Sequence, residues 1–87
     1  MKTGNIVLAT AGKEKGGIYV VVKADEKYVY LADGKRLTAD KPKKKSLKHV
    51  KMFDAGVTAE EVQDANPRVN AKIRKILKEK GDAHVKG

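Results

Sequence analysis

A dense block of lysines carries the most informative chemistry in this sequence. Residues 41–51 (KPKKKSLKHVK) contain six of the 20 basic residues of the 87-residue chain and none of its 11 acidic residues. The whole chain has a formal net charge of +9. So many ammonium groups without an acid attract a polyanion such as nucleic-acid phosphate. A solvated run of charge with no partner is the alternative. The residues expected to contact phosphate are Lys41, Lys43, Lys44, Lys45, Lys48, His49 and Lys51.

A second candidate site is the glycine-rich loop that follows the first apolar stretch. Gly12, Gly16 and Gly17 would let backbone N–H groups approach a phosphate closely. Lys13 and Lys15 add positive charge to the same loop. A nucleotide-binding P-loop is excluded, because the loop lacks the terminal Lys-Ser/Thr pair and leads into a strand rather than a helix. A tight turn between two strands explains the glycines equally well.

Catalytic and metal-binding patterns find no support in the sequence. The chain has no cysteine, which excludes disulfides, thiolate metal sites and a cysteine nucleophile, and it has only two histidines, His49 and His84. No acid lies near His49 in sequence, so Ser46 and His49 do not build a Ser-His-Asp arrangement. No cluster of His, Asp and Glu has the spacing of metal ligands. We therefore expect no enzymatic activity, no metal and no cofactor.

Short strands in the first half must position these residues. Apolar runs predict strands over 6–9, 18–23 and 28–31. In the second run, alternation places one set of side chains on each face: Ile18, Val20 and Val22 against Tyr19 and Val21. Asp33-Gly34 predicts a two-residue hairpin turn with a return strand over 35–38. A last strand is expected around Leu47, Val50 and Met52.

This pattern predicts a mainly β fold, a small barrel of about five strands followed by one or two helices. Only four residues are aromatic. Tyr19, Tyr28 and Tyr30 could stack on unpaired bases. With so few aromatic residues, a place in or beside the core is the stronger expectation for at least two of them.

The second half has helical periodicity. Thr58 and Glu61 form a capping-box pattern for a short helix ending near Ala65, and Asn66-Pro67 predicts the start of a second helix. An apolar stripe (Val69, Ile73, Ile76, Leu77) should dock this helix on the open mouth of the barrel, and Gly81 should end it. The opposite side carries a secondary basic face of Arg68, Lys72 and Lys75, flanked by Arg74 and Lys78. The expected organisation is a barrel over 1–54, a helical extension over 55–81 and a flexible tail over 82–87.

Residues 6–21 resemble a KOW motif, in which a Gly-Lys-acid-Lys-Gly loop joins two apolar strands. Residues 41–50 resemble the basic segment of the archaeal and eukaryotic large-subunit ribosomal protein fourteen family, and more closely its short bacterial KOW-domain relatives. Residues 70–77 are similar to the carboxy-terminal helix of those bacterial proteins. The resemblance implies an SH3-like barrel that binds structured RNA, with ribosomal RNA the expected ligand. By matched position it implies an RNA-facing loop and segment of Gly12, Lys13, Lys15, Gly16, Lys43, Lys44, Lys45, Lys48 and His49. Glu14 and Gly17 make this loop less basic than is usual for the motif.

We therefore expect an RNA-binding protein of the ribosome or its assembly that recognises RNA shape through phosphate contacts. Its partners would be large-subunit ribosomal RNA and ribosomal proteins, with no membrane contact, in a cytoplasmic monomer. The alternative is a protein-interaction module in the transcription or translation machinery, with the lysine block on an acidic surface or the apolar helix stripe on a partner. A nuclear address in residues 42–45 ranks last, because the block is expected within the fold.

Overall fold

Five antiparallel strands and one C-terminal helix make up the described chain. The computed structural model describes residues 1–57, 62 and 68–86. The elements are β1 (Ile6–Ala9), β2 (Ile18–Ala24), β3 (Tyr28–Ala32), β4 (Lys43–Ser46), β5 (Val50–Asp54) and α1 (Val69–Lys86). The strands form one sheet in the order β4-β3-β2-β1-β5. The prediction of a mainly β fold with a C-terminal helix is confirmed.

The sheet curls because its two edge strands follow each other directly in sequence. A single 3₁₀ turn, Leu47–His49, joins β4 to β5. In a flat sheet of this order the two edges would lie about 19 Å apart, at about 4.8 Å per strand. A 3₁₀ turn of this length advances only about 6 Å. The edges must therefore approach each other at this end, which gives the sheet a barrel-like shape.

The sheet buries apolar side chains on both faces. One face carries the helix-side cluster, whose buried members are Ile6, Val20, Ala32, Val62, Val69 and Ile73. The other face carries the inner cluster of Val7, Val21, Val29 and Leu31, against which Leu47 and Val50 also pack. Along β2, residues 18–22 alternate between the clusters, which confirms the predicted division of its side chains, and Ile6 and Val7 of β1 also lie in different clusters.

The helix docks through its predicted apolar stripe. Val69 and Ile73 are buried in the helix-side cluster, and Ile76 and Leu77 pack against it. The expected end at Gly81 is wrong, because α1 continues to Lys86, through all but the last residue of the predicted tail. Gly81 keeps a helical backbone and lies over Ile18, where an added Cβ would be 3.3 Å from Ile18 Cδ1. Glycine within a helix costs only about 1 kcal/mol relative to alanine, so packing outweighs it.

The predicted hairpin at Asp33-Gly34 is also wrong, because residues 35–38 form no return strand and β4 pairs with β3 instead. Asp33 Oδ1 accepts hydrogen bonds from the backbone N–H groups of Lys35 and Leu37, at 2.9 Å each, so those donors are unavailable to a ladder. The chain then runs to the helix, where Ala39 N donates to Asn70 Oδ1 at 2.8 Å and Arg74 donates to the Gly34 carbonyl.

Two predicted features lie outside the described residues. These are the second cap at Asn66-Pro67 and the capped helix from Thr58 to near Ala65, apart from Val62, which is buried in the helix-side cluster.

Candidate nucleic-acid interface

Three consecutive lysines in β4 point in different directions. Lys43 and Lys44 are exposed, whereas Lys45 is only 9% exposed. Lys45 pairs across the ladder with Val29 of the inner cluster, and Lys44 pairs with Tyr30. Because neighbouring residues of a strand face opposite sides, the block cannot present all its charges on one surface.

Lys45 is held inside by an ion pair. Its Nζ donates a 2.8 Å hydrogen bond to Glu14 Oε1 in the glycine loop. This hydrogen bond is the main reason that the pKa of Glu14 lies below its usual value of 4.5, and the charges of Lys45 and Lys43 act in the same direction. Lys45, expected from the sequence to face RNA, is therefore an internal anchor in this structure.

Gly12 lets the loop approach that anchor. Its φ is +78°, and a Cβ on Gly12 would lie 2.6 Å from Lys45 Nζ. The backbone N–H groups of Lys15, Gly16 and Gly17 donate to carbonyls of Gly12, Ala9 and Glu14, respectively. Three amides of the loop are thus bonded inside the turn, and the side chains of Lys13 and Lys15 are its exposed basic groups.

The 3₁₀ turn lies between two loops and brings further cations to them. Thr10 N donates to the His49 carbonyl at 2.9 Å, which joins the turn to the start of the glycine loop. Leu47 N donates to the Lys27 carbonyl at 2.9 Å, which joins it to the β2–β3 turn. Lys48 and His49 are exposed between these two connections. We call one set of exposed basic residues the basic end. They come from the glycine loop, the β2–β3 turn, the 3₁₀ turn and the side of β4 that carries Lys45: Lys13, Lys15, Lys27, Lys43, Lys48 and His49.

The two remaining lysines of the block lie on either side of this region. Lys51 is exposed on β5, directly after Val50, which pairs with Ala9. Lys41 is exposed before β4, and its backbone N–H donates to the Thr38 carbonyl at 3.0 Å. That segment is bound to α1 through Ala39, so Lys41 belongs to the helix end of the molecule.

The secondary basic face is separate from the basic end. Arg68, Lys72 and Lys75 are exposed on α1. The helix packs near Ala32, at one end of β3. The 3₁₀ turn follows Ser46, which pairs with Tyr28 at the other end of β3. A strand as long as β3 spans about 13 Å, so Lys48 and His49 of the 3₁₀ turn lie at the other end of the sheet from the helix, whereas Lys43, which pairs with Leu31, lies nearer the helix.

One tyrosine packs against the core, one is half-buried outside it and one is exposed. Tyr19 packs against the inner cluster, and burial is the main cause that raises its pKa. Lys44 Nζ lies 4.2 Å from the ring centroid of Tyr28, and Lys23 Nζ lies 5.4 Å from that of Tyr30. Sequence reasoning missed the placement of Lys23 beside Tyr30, because that placement depends on the β2–β3 register.

A cleft of about 540 Å³ opens between β2, the loop after β3 and α1. Lys35, Arg74 and Lys78 line it together with Asp33 and Tyr19. The sequence placed Arg74 and Lys78 only as flanks of the helical basic face. Their approach to Asp33 depends on the contact between the loop and the helix, for which the sequence carries no local signal.

No protein-family model and no curated protein matches this sequence. Within the described residues, no helix is both long enough and apolar enough to cross a membrane. Among the same residues, no three His, Cys, Asp or Glu side chains are grouped so that they could hold a metal ion.

Proposed function

We propose that this chain is an RNA-binding protein that docks through its basic end. The observation that carries the proposal is the bonding of the glycine loop to the lysine block, through the Glu14–Lys45 ion pair and the Thr10–His49 hydrogen bond. These contacts place exposed cations from separate parts of the chain beside one another. Such a surface suits the closely spaced phosphates of a folded RNA.

The structure removes an objection to RNA binding that the acidic side chain of Glu14 raises in the sequence. A carboxylate in a phosphate-binding loop would repel RNA if it were free. Here its charge is matched by Lys45, which is itself withdrawn from the surface. The pair therefore cancels internally, and Lys13, Lys15 and Lys43 remain as exposed charge on this side.

The resemblance of residues 6–21 and 41–50 to KOW-type ribosomal proteins supports the finer proposal. On that basis the RNA is ribosomal RNA of the large subunit, and the site of action is the cytoplasm. The alternative in which the apolar helix stripe binds a partner protein loses its support. Val69 and Ile73 of that stripe are buried against the sheet and are not free to dock elsewhere.

Co-sedimentation with isolated ribosomal subunits over a salt series tests this proposal. The variants are Lys43→Glu/Lys48→Glu at the basic end and Lys72→Glu/Lys75→Glu on the helix, which change charge equally. Lys45 is left intact, because its substitution would disturb folding. We expect salt-sensitive binding of the wild type to the large subunit that only the first double change abolishes. Equal sedimentation of all three proteins, or no binding by the wild type, would contradict the proposal.

A further inference from the structure

We propose that Tyr28 and Tyr30, with Lys44 and Lys23 beside them, form a stacking surface for unpaired RNA bases. This inference rests on the proposed function and specifies the kind of RNA that the chain prefers. It also proposes a second RNA-binding surface, because none of these four residues belongs to the basic end.

Strand register places the four side chains on one face. Tyr30 pairs with Lys44 on β4 and with Lys23 on β2, and Tyr28 is two residues before Tyr30 on β3. Paired residues, and residues two apart on one strand, share a face of the sheet. The result is two aromatic rings between two lysines, with each ammonium over one ring.

The exposure of these rings argues against a purely structural role. Tyr28 is 37% exposed and Tyr30 is half-buried. Among the described residues, neither belongs to a core cluster, whereas Tyr19 packs against the inner one. A ring left at the surface beside a basic end is a suitable platform for a nucleobase, because every base has a π face.

The backbone at Tyr28 is held by the turn that precedes it. Asp25 Oδ1 accepts hydrogen bonds from the N–H groups of Lys27 and Tyr28, at 2.9 and 2.8 Å. These two bonds are the main causes that lower the pKa of Asp25 below its usual value. A rigid turn reduces the entropy lost when a base stacks on the ring that follows it.

The lysines have a defined part in binding. A cation over an exposed ring is a weaker contact than a stacked base. An arriving base would therefore displace the Lys44 ammonium from Tyr28, and the released ammonium would contact the phosphate of that nucleotide. An acidic protein surface would use the lysines but leave the ring faces unused, so the combination favours a nucleotide with an unpaired base.

Binding to two matched RNAs tests the inference. One is a short hairpin with an oligoadenosine loop, and the other is its stem as a blunt duplex. We expect Tyr28→Leu to lose about tenfold in affinity for the hairpin and nothing for the duplex. Tyr28→Phe keeps the ring and should retain hairpin affinity. Met52→Ala removes another exposed apolar side chain, 51% exposed on β5, and should bind both RNAs as the wild type does.

Two further readouts separate stacking from charge. Tyr28→Leu should leave the salt dependence of hairpin binding unchanged, whereas Lys44→Gln should reduce its slope by about one. The chain has three tyrosines and no tryptophan, so quenching of tyrosine emission by oligoadenosine reports stacking in the wild type itself.

The outcomes distinguish this inference from the proposed function. If the wild type binds the duplex but Tyr28→Leu binds both RNAs as the wild type does, or loses affinity for both equally, the stacking surface is contradicted and RNA binding stands. Unquenched emission with saturating hairpin also contradicts stacking. If the wild type binds neither RNA at low salt, the proposed function fails and the stacking surface fails with it.

Discussion

Glu14 Oε1 and Lys45 Nζ lie 2.8 Å apart and join the glycine loop to β4 across 31 residues of sequence. Lys45 is 9% exposed and the Glu14 side chain 15%, so both charges are largely removed from water. Such a pair is costly to form but far more costly to break on one side only. The link therefore holds the loop in place while exposed lysines on either side remain available.

Removing one partner of this pair should destabilise the protein more than removing both. Glu14→Ala leaves the Lys45 ammonium buried without its acceptor, and we expect it to lower the free energy of unfolding by roughly 2–3 kcal/mol. The single variants are Glu14→Ala and Lys45→Met, and their combination removes both charges and should restore most of that loss. Urea unfolding of the single and double variants measures the difference. A double variant as unstable as the sum of the two singles would show that the pair is not coupled.

The same pair gives the stability a defined pH dependence. The pKa of Glu14 is lowered on folding, so its contribution is fully present above the unfolded value of about 4.5 and is lost as the pH falls through the folded value. Glu14→Gln should flatten the stability profile in that acidic window and leave its slope near neutral pH unchanged. Thermal unfolding at a series of pH values compares the two proteins. Parallel profiles from neutral pH to below pH 4 would contradict the assignment.

Two glycines with similar backbone angles should respond differently to alanine. Gly34 and Gly16 have φ values of +78° and +89°, where a side chain is strained. A Cβ on Gly34 would lie 2.3 Å from the Asn70 carbonyl oxygen, whereas one on Gly16 would meet nothing within 4 Å. Gly16→Ala should cost about 1 kcal/mol, from strain alone.

Gly34→Ala should cost at least about 1 kcal/mol more than Gly16→Ala, because the loop must also move away from α1. Thermal unfolding of both variants checks this comparison. Equal losses would mean that the loop does not pack closely on the helix.

Local patterns predicted the elements that depend on nearby residues. The three apolar runs became β1, β2 and β3, and the stripe that includes Val69 and Ile73 became the buried side of α1. Alternation in a strand and spacing in a helix follow from backbone geometry, so a sequence displays them directly. The prediction of a mainly β fold with a C-terminal helix rests on these signals.

The errors arose where distant residues decide the structure. Asp33-Gly34 has the composition of a hairpin turn, but bonds to Asn70 and Arg74 draw the following loop to the helix. Lys45 is indistinguishable in sequence from Lys44, and only the register against β3 gives it Val29 as a neighbour. The sequence therefore located the basic block but could not show which of its lysines are exposed.

The salt dependence of RNA affinity tests the central claim most directly. It should be measured with one structured RNA for the wild type, Lys43→Gln/Lys48→Gln and Lys72→Gln/Lys75→Gln. If the basic end binds phosphate, the first double change should reduce the slope of log affinity against log salt by about two, and the helical change should leave it nearly unchanged. Equal reductions by both pairs would mean that the charge acts without a defined surface, and a wild type without RNA affinity at low salt would contradict the proposal outright.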